Sequence, residues 1–122
     1  MSTAAPPFPD LSVLIPFYNE AGNIDTVIGE IHEQLSEIDF EVVCVNDASD
    51  DSTAEELEQA KLKWPGTVHV FTHVERRGKS AALYTGLKAI RGTWTQLLDG
   101  DGQNDPADTA RLWKEIIVPG AP

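Results

Sequence analysis

Asp99-Gly100-Asp101-Gly102-Gln103 sets two carboxylates and an amide at alternate positions, directly after the apolar run 94–98. Alternate side chains of an extended segment share a face, so all three can be presented to one ligand. Carboxylate and amide oxygens are hard donors. They suit Mg²⁺ or Mn²⁺, which usually take further oxygens from a substrate phosphate. The glycines let the backbone pass close to a ligand. Asp-Gly pairs are also common turn formers, so this stretch alone reads equally well as a solvated acidic turn. What separates the two readings is the placement of the other polar clusters: Tyr18-Asn19-Glu20, Asn46-Asp47 with Asp50-Asp51, and Arg76, Arg77 and Lys79.

Other chemistries find little support. Gly78-Lys79-Ser80 imitates the tail of a phosphate-binding P-loop, but His73 stands where the leading glycine is required. A Gly-Lys turn at a helix start can still offer backbone donors to an anion. No G-x-G-x-x-G, H-E-x-x-H or G-x-S-x-G pattern occurs, which argues against dinucleotide binding, a zinc site and a hydrolase triad. His32 reads as a solvated helix residue, while His69 and His73 fall on one side of a strand. The single cysteine, Cys44, reads as a small core residue. Trp64, Trp94 and Trp113 read as core, and Glu55, Glu56 and Glu58 as an exposed helix face.

The 122 residues fit one small domain, and 41% hydrophobic content is enough for a core. A net charge of -11 argues against nucleic acid as a partner. The same field repels a phosphate ligand unless a cation intervenes. No apolar run approaches membrane-spanning length. Residues 1–10 read as a disordered lead-in rather than a signal peptide, and a cytoplasmic location is the default expectation.

These clusters need elements to position them. Residues 11–15, stopped by Pro16, read as a buried strand, followed by 40–45, 68–72 and 94–98. Ile24, Val27, Ile28, Ile31, Leu35 and Ile38 follow helical spacing. Ser52 with Glu55 suggests a capping box for a second helix. Ala82, Leu83, Gly86, Leu87 and Ile90 line a third, ended by Gly92. Asp105-Pro106 opens a fourth carrying Ala110, Trp113 and Ile117. The order βαβαβαβα implies an α/β fold with a parallel sheet covered on both faces. Ligands of such sheets bind beyond the carboxyl ends of the strands, and all four polar clusters lie at that edge. The loops at the opposite edge read as short and plain.

Four stretches follow one another in order: Ile15-Pro16-Phe17-Tyr18-Asn19-Glu20, Val45-Asn46-Asp47-Ala48-Ser49-Asp50-Asp51-Ser52-Thr53, Gly78-Lys79-Ser80-Ala81-Ala82-Leu83 and Leu98-Asp99-Gly100-Asp101-Gly102-Gln103-Asn104-Asp105-Pro106. From about residue 11 to 117 the chain resembles the nucleotide-binding half of family 2 glycosyltransferases. Within the family it is most similar to the polyprenyl-phosphate sugar transferases. It departs from the usual pattern at Asn46, where an Asp is common, and at Ala48, where a glycine is.

The resemblance implies a GT-A (Rossmann-like) fold and an inverting transfer from a nucleoside diphosphate sugar, GDP- or UDP-linked, to a polyprenyl phosphate. Carried over by motif position, Pro16, Tyr18 and Glu20 line the base and ribose. Val45 and Asp47 contact the base, and Lys79, Asp99 and Gly100 belong to the nucleotide site. Asp99, Asp101 and Gln103 hold Mg²⁺ or Mn²⁺. Residues 11–118 are then expected to be the donor half, with the acceptor half and any catalytic base lying outside the chain. An uncovered sheet flank favours self-association, and the longer protein is expected at the inner face of a membrane. Two alternatives stand beside this reading: a receiver-like, Mg²⁺-dependent signalling domain, and a nucleotide-binding module without turnover.

Overall fold

The computed structural model describes residues 8–117. Strand and helix alternate: β1 (Leu11–Phe17), α1 (Ile24–Gln34), β2 (Phe40–Asn46), α2 (Thr53–Lys63), β3 (Val68–Thr72), α3 (Lys79–Leu87), β4 (Trp94–Leu97) and α4 (Pro106–Leu112), which continues into a π-helical turn at Trp113–Ile117. The strands form one parallel sheet in the order β3-β2-β1-β4. The expected α/β fold is therefore observed.

The order explains the layers. From β1 through β3 the chain steps one way across the sheet; from β3 to β4 it steps back over two strands. Right-handed crossovers then put α1 and α2 on one face and α3 on the other. On the first face Val13, Ile15, Val42 and Cys44 pack with Ile24, Ile28, Ile31 and Leu57. On the second, Leu14, Val43 and Val45 meet Ala82 of α3. Strands buried on both sides are apolar at most positions, which is why β1 and β2 read as near-continuous runs rather than alternating ones, with Ser12 and Glu41 as buried polar exceptions. Gly86 lets α3 sit close to β1, since a Cβ there would run into the Leu14 side chain.

Several element boundaries differ from expectation for local reasons. Pro16 does not stop β1, which runs on to Phe17. Leu14 bonds toward β4, so Pro16, two residues on, also faces that side. Its partner strand has ended there at Leu97, and the missing N–H costs no ladder bond. The capping box at α2 is not made: the Ser52 hydroxyl donates to Glu56, and Asp51 accepts the Thr53 N–H instead. Helix α3 ends at Leu87, five residues before Gly92, and Ile38 packs in the core beyond the end of α1. Asp105 does cap α4, accepting from the Ala107 N–H with Pro106 in the first turn. Of the expected lead-in, residues 1–7 and, at the other end, 118–122 lie outside the described residues. Asp10 already pairs its backbone with Asp39 and Trp94.

Candidate functional site

At the carboxyl edge of the sheet lies a crevice of about 300 Å³. It opens beside the β1–β4 pair, where the strand order reverses. From here the chain leaves β1 toward β2, and it returns to β4 on the other side of β1. Pro16, Tyr18, Glu20, Asp47, Lys79, Asp99, Gly100 and Asp101 all line it, as do Phe17, Arg76 and Ala82. Eight of the expected site residues, drawn from four separate loops, are thus brought together.

Val45 and Gln103 are not. Val45 is fully buried beneath α3 and offers no surface to a ligand. Gln103 is exposed outside the crevice, its backbone N–H tied to Asp101 Oδ1 at 3.0 Å. Gln103 does not share the face of the two carboxylates because the chain turns after Asp99 rather than staying extended, with Gly102 at φ +78°.

The first two loops are laced into one rim. Asn19 N–H donates to the Ser49 hydroxyl, Asp50 N–H to Asn19 Oδ1, Glu20 N–H to Thr53 Oγ1 and Gly22 N–H to Glu56. Tyr18 stands on this rim with the Arg76 guanidinium 4.0 Å over its ring, a cation–π contact. Arg76 had been read only as part of a basic cluster; the aromatic ring facing it comes from a loop 58 positions away in the sequence, so local reading had no signal for the pair.

Asp47 has three partners. Its Oδ1 accepts from His73 Nδ1–H and from the Arg77 N–H, and its Oδ2 from the Gly78 N–H, all at 2.8 Å. The donors expected to serve an anion at the start of α3 are therefore already turned on Asp47, whose charge sits at that helix N-terminus. Burial pushes the Asp47 carboxyl up, but the bonds from Arg77, His73 and Gly78 outweigh it and hold the group below the usual carboxylate range. A carboxylate can accept about four bonds, so one position on Oδ2 remains for the crevice.

The Asp99 loop approaches β1 as closely as a chain can. A Cβ on Gly100 would lie 2.7 Å from the Phe17 ring and 2.8 Å from the Pro16 carbonyl. Glycine is needed there for space against the protein itself, not only beside a ligand. Asn104 Oδ1 accepts the Asp99 N–H at 2.7 Å and closes the loop. The acidic pair is not without basic company: Lys79 Nζ lies 2.8 Å from Asp99 Oδ1, and that bond raises the lysine's pKa.

The donor set fits a hard divalent cation that shares its coordination with a ligand. Asp99 Oδ2 and Asp101 Oδ2 have no hydrogen-bond partner among the described residues. No group of three His, Cys, Asp or Glu side chains among those residues could hold a metal unaided, so phosphate and water oxygens would complete the sphere. His69 and His73 do face one side of β3, but toward Glu41 and Asp47, not toward each other's ligand field.

This crevice lies at the strand-order reversal of a parallel α/β sheet, where folds of this class bind their ligands. The chain matches the Glycosyl transferase family 2 model over residues 12–121, and it belongs to that family. It is 32% identical over 106 residues to a dolichol-phosphate mannosyltransferase of Pyrococcus furiosus, covering 87% of this chain and 30% of that one. It is 37% identical over 111 residues to an undecaprenyl-phosphate 4-deoxy-4-formamido-L-arabinose transferase of Pseudomonas aeruginosa, covering 87% and 32%. Among solved structures it is similar to the mannosyltransferase PcManGT of Pyrobaculum calidifontis in complex with GDP-Man and Mn²⁺. The TM-score is 0.70 at 33% identity, over 77% of this chain and 28% of that one. The chain spans about a third of the length of the curated relatives it matches. These likenesses agree with the GT-A fold that the motifs implied.

Proposed function

We propose that this chain is the donor-binding portion of an inverting glycosyltransferase. It holds a GDP- or UDP-linked sugar through Mg²⁺ or Mn²⁺ at Asp99 and Asp101, for transfer to a polyprenyl phosphate by the longer protein. The observation that carries this reading is the convergence of both carboxylates with Pro16, Tyr18, Glu20 and Asp47 in one crevice at the strand-order reversal. The similarity to a mannosyltransferase solved with GDP-Man and Mn²⁺ supports it.

Each residue then has a physical task. Pro16, Tyr18 and Glu20 flank the base and ribose. The open position on Asp47 Oδ2 accepts the ring N–H of guanine or uracil. Adenine and cytosine turn an unprotonated ring nitrogen to the same place, which a carboxylate repels. Lys79 leaves Asp99 for the diphosphate as it arrives, freeing the carboxylate. The cation, when bound, stabilises charge on the leaving diphosphate. Attack by the acceptor oxygen on the anomeric carbon, opposite the departing diphosphate, inverts the configuration. A phosphate acceptor is already anionic and needs no base.

The receiver-like alternative fails on topology. Receivers use the order 2-1-3-4-5, whereas β1 here lies between β2 and β4.

Titration calorimetry with GDP and UDP, with Mn²⁺ and then with EDTA, tests the proposal. Asp101→Asn should weaken Mn²⁺-dependent binding by on the order of 10–100-fold, the scale of metal-site perturbations. Equally tight binding in EDTA overturns the metal role.

A further inference from the structure

Behind Asp47 stands a pair of side chains that the proposed donor site does not touch. His73 lies just past β3 and Thr85 two turns into α3. His73 Nδ1 meets Asp47 Oδ1 at 2.8 Å, and its Nε2 meets the Thr85 hydroxyl at 2.7 Å. The imidazole is 10% exposed and the Asp47 side chain 5%. Neither His73 nor Thr85 lines the crevice. The His73 backbone is itself fixed, donating its N–H to the Asn46 carbonyl.

We infer that His73 and Thr85 are positioning residues for base recognition: the Thr85–His73 chain fixes the rotation of the Asp47 carboxylate so that its open Oδ2 position faces the crevice. This rests on the reading of Asp47 as the acceptor for a base N–H. The Arg77 and Gly78 amides hold opposite oxygens of Asp47 from the loop before α3, and the imidazole adds a third, side-chain bond to Oδ1. The imidazole is itself fixed, by its own backbone N–H on Asn46 at the end of β2 and by its Nε2 on Thr85 of α3. With Nδ1 donating to Asp47, Nε2 is the ring's acceptor, and the Thr85 hydroxyl is the donor that it needs. Thr85 also departs from habit, since a threonine within a helix usually returns its hydroxyl to the preceding turn.

The test compares the wild-type chain with Thr85→Val, Thr85→Ser and His73→Phe, each titrated with GDP, UDP and inorganic pyrophosphate in the presence of Mn²⁺. Thr85→Val is nearly isosteric and removes only the hydroxyl; Thr85→Ser keeps it. Thr85→Val should weaken GDP and UDP binding roughly 3- to 10-fold and His73→Phe on the order of 10-fold or more, with Thr85→Ser and all pyrophosphate affinities within about twofold of wild type. Unchanged nucleotide affinity in Thr85→Val and His73→Phe overturns the inference. So does a matching loss of pyrophosphate affinity, which would make the pair a scaffold for the whole loop. If wild-type protein binds nucleotides no better than pyrophosphate, it is the role of Asp47 in base recognition that falls.

Discussion

Ala48 adopts φ +58°, a conformation that costs an L residue with a Cβ. Asn19 on the same rim, at φ +52°, is one of the few residue types that tolerate it. Ala48→Gly should therefore stabilise the chain by about 0.5–1 kcal/mol, after allowing for glycine's greater freedom in the unfolded state, as read from urea unfolding. That strain was visible in the sequence only as a departure from a family pattern. His32 departs from its sequence expectation. Its spacing put it on the solvent face of α1, yet its ring stacks on Trp64 at 4.5 Å and meets Phe40 edge-on. Its Nδ1 donates to the Ile28 carbonyl, and its Nε2 is buried without a partner among the described residues. Trp64 comes from the far end of α2, beyond the reach of a single-helix pattern. Burial lowers the His32 pKa below 6.5. As pH falls through 6.5, the unfolded chain takes up a proton that the folded chain resists, so this contribution to stability is present above 6.5 and lost below it. Denaturant curves at pH 7.5 and 5.5 should show a drop on the acid side that is smaller in His32→Phe.

Among the elements, β1 and β2 and the helices that cover them were legible because a parallel sheet demands unbroken apolar runs. The edge of the sheet was not. Trp94 reads as core by residue type, but it sits 39% exposed on β4, which pairs with β1 over only four residues. The opposite end of the sheet, read as plain, holds Glu41 at 2% exposure. Its carboxylate accepts from the Ser12 hydroxyl and the Arg91 N–H, both at 2.7 Å, with the Arg91 guanidinium 3.4 Å away. Gly92 closes the group through its N–H to Ser12 Oγ. These bonds join β1, β2 and the α3–β4 connection, and their sequence separations of 29 to 80 hide them from local reading. Glu41→Leu would strand the Ser12 hydroxyl and the Arg91 N–H, and should cost roughly 2–4 kcal/mol in chemical unfolding. Because Glu41 is at the far edge from the crevice, nucleotide affinity in that variant should be unchanged.

At the scale of the whole molecule, the candidate site divides along the same line as the sheet. The gathering of the polar clusters at one edge was legible from element order, and the eight residues that line the crevice from the family resemblance. Which side chains would turn away, as Val45 and Gln103 do, depended on register and turn geometry that appear only on folding. The rim that carries Tyr18 and Glu20 is bonded across to the loop before α2, and Asp47 anchors the loop before α3. The Asp99–Asp101 loop hangs instead from β4, the short strand reached by a crossover over two others. Segments with so little pairing open far below the cost of global unfolding. Backbone amides of residues 94–98 should exchange with deuterium sooner than those of β1 and β2. GDP or UDP with Mn²⁺ should slow that exchange selectively, because a ligand bound across the crevice adds its binding energy only to forms with β4 in place. The strand-order reversal thus splits the crevice between the well-paired β1–β2 centre and a short edge strand, so a ligand spanning it would tie the carboxylate loop to the rim.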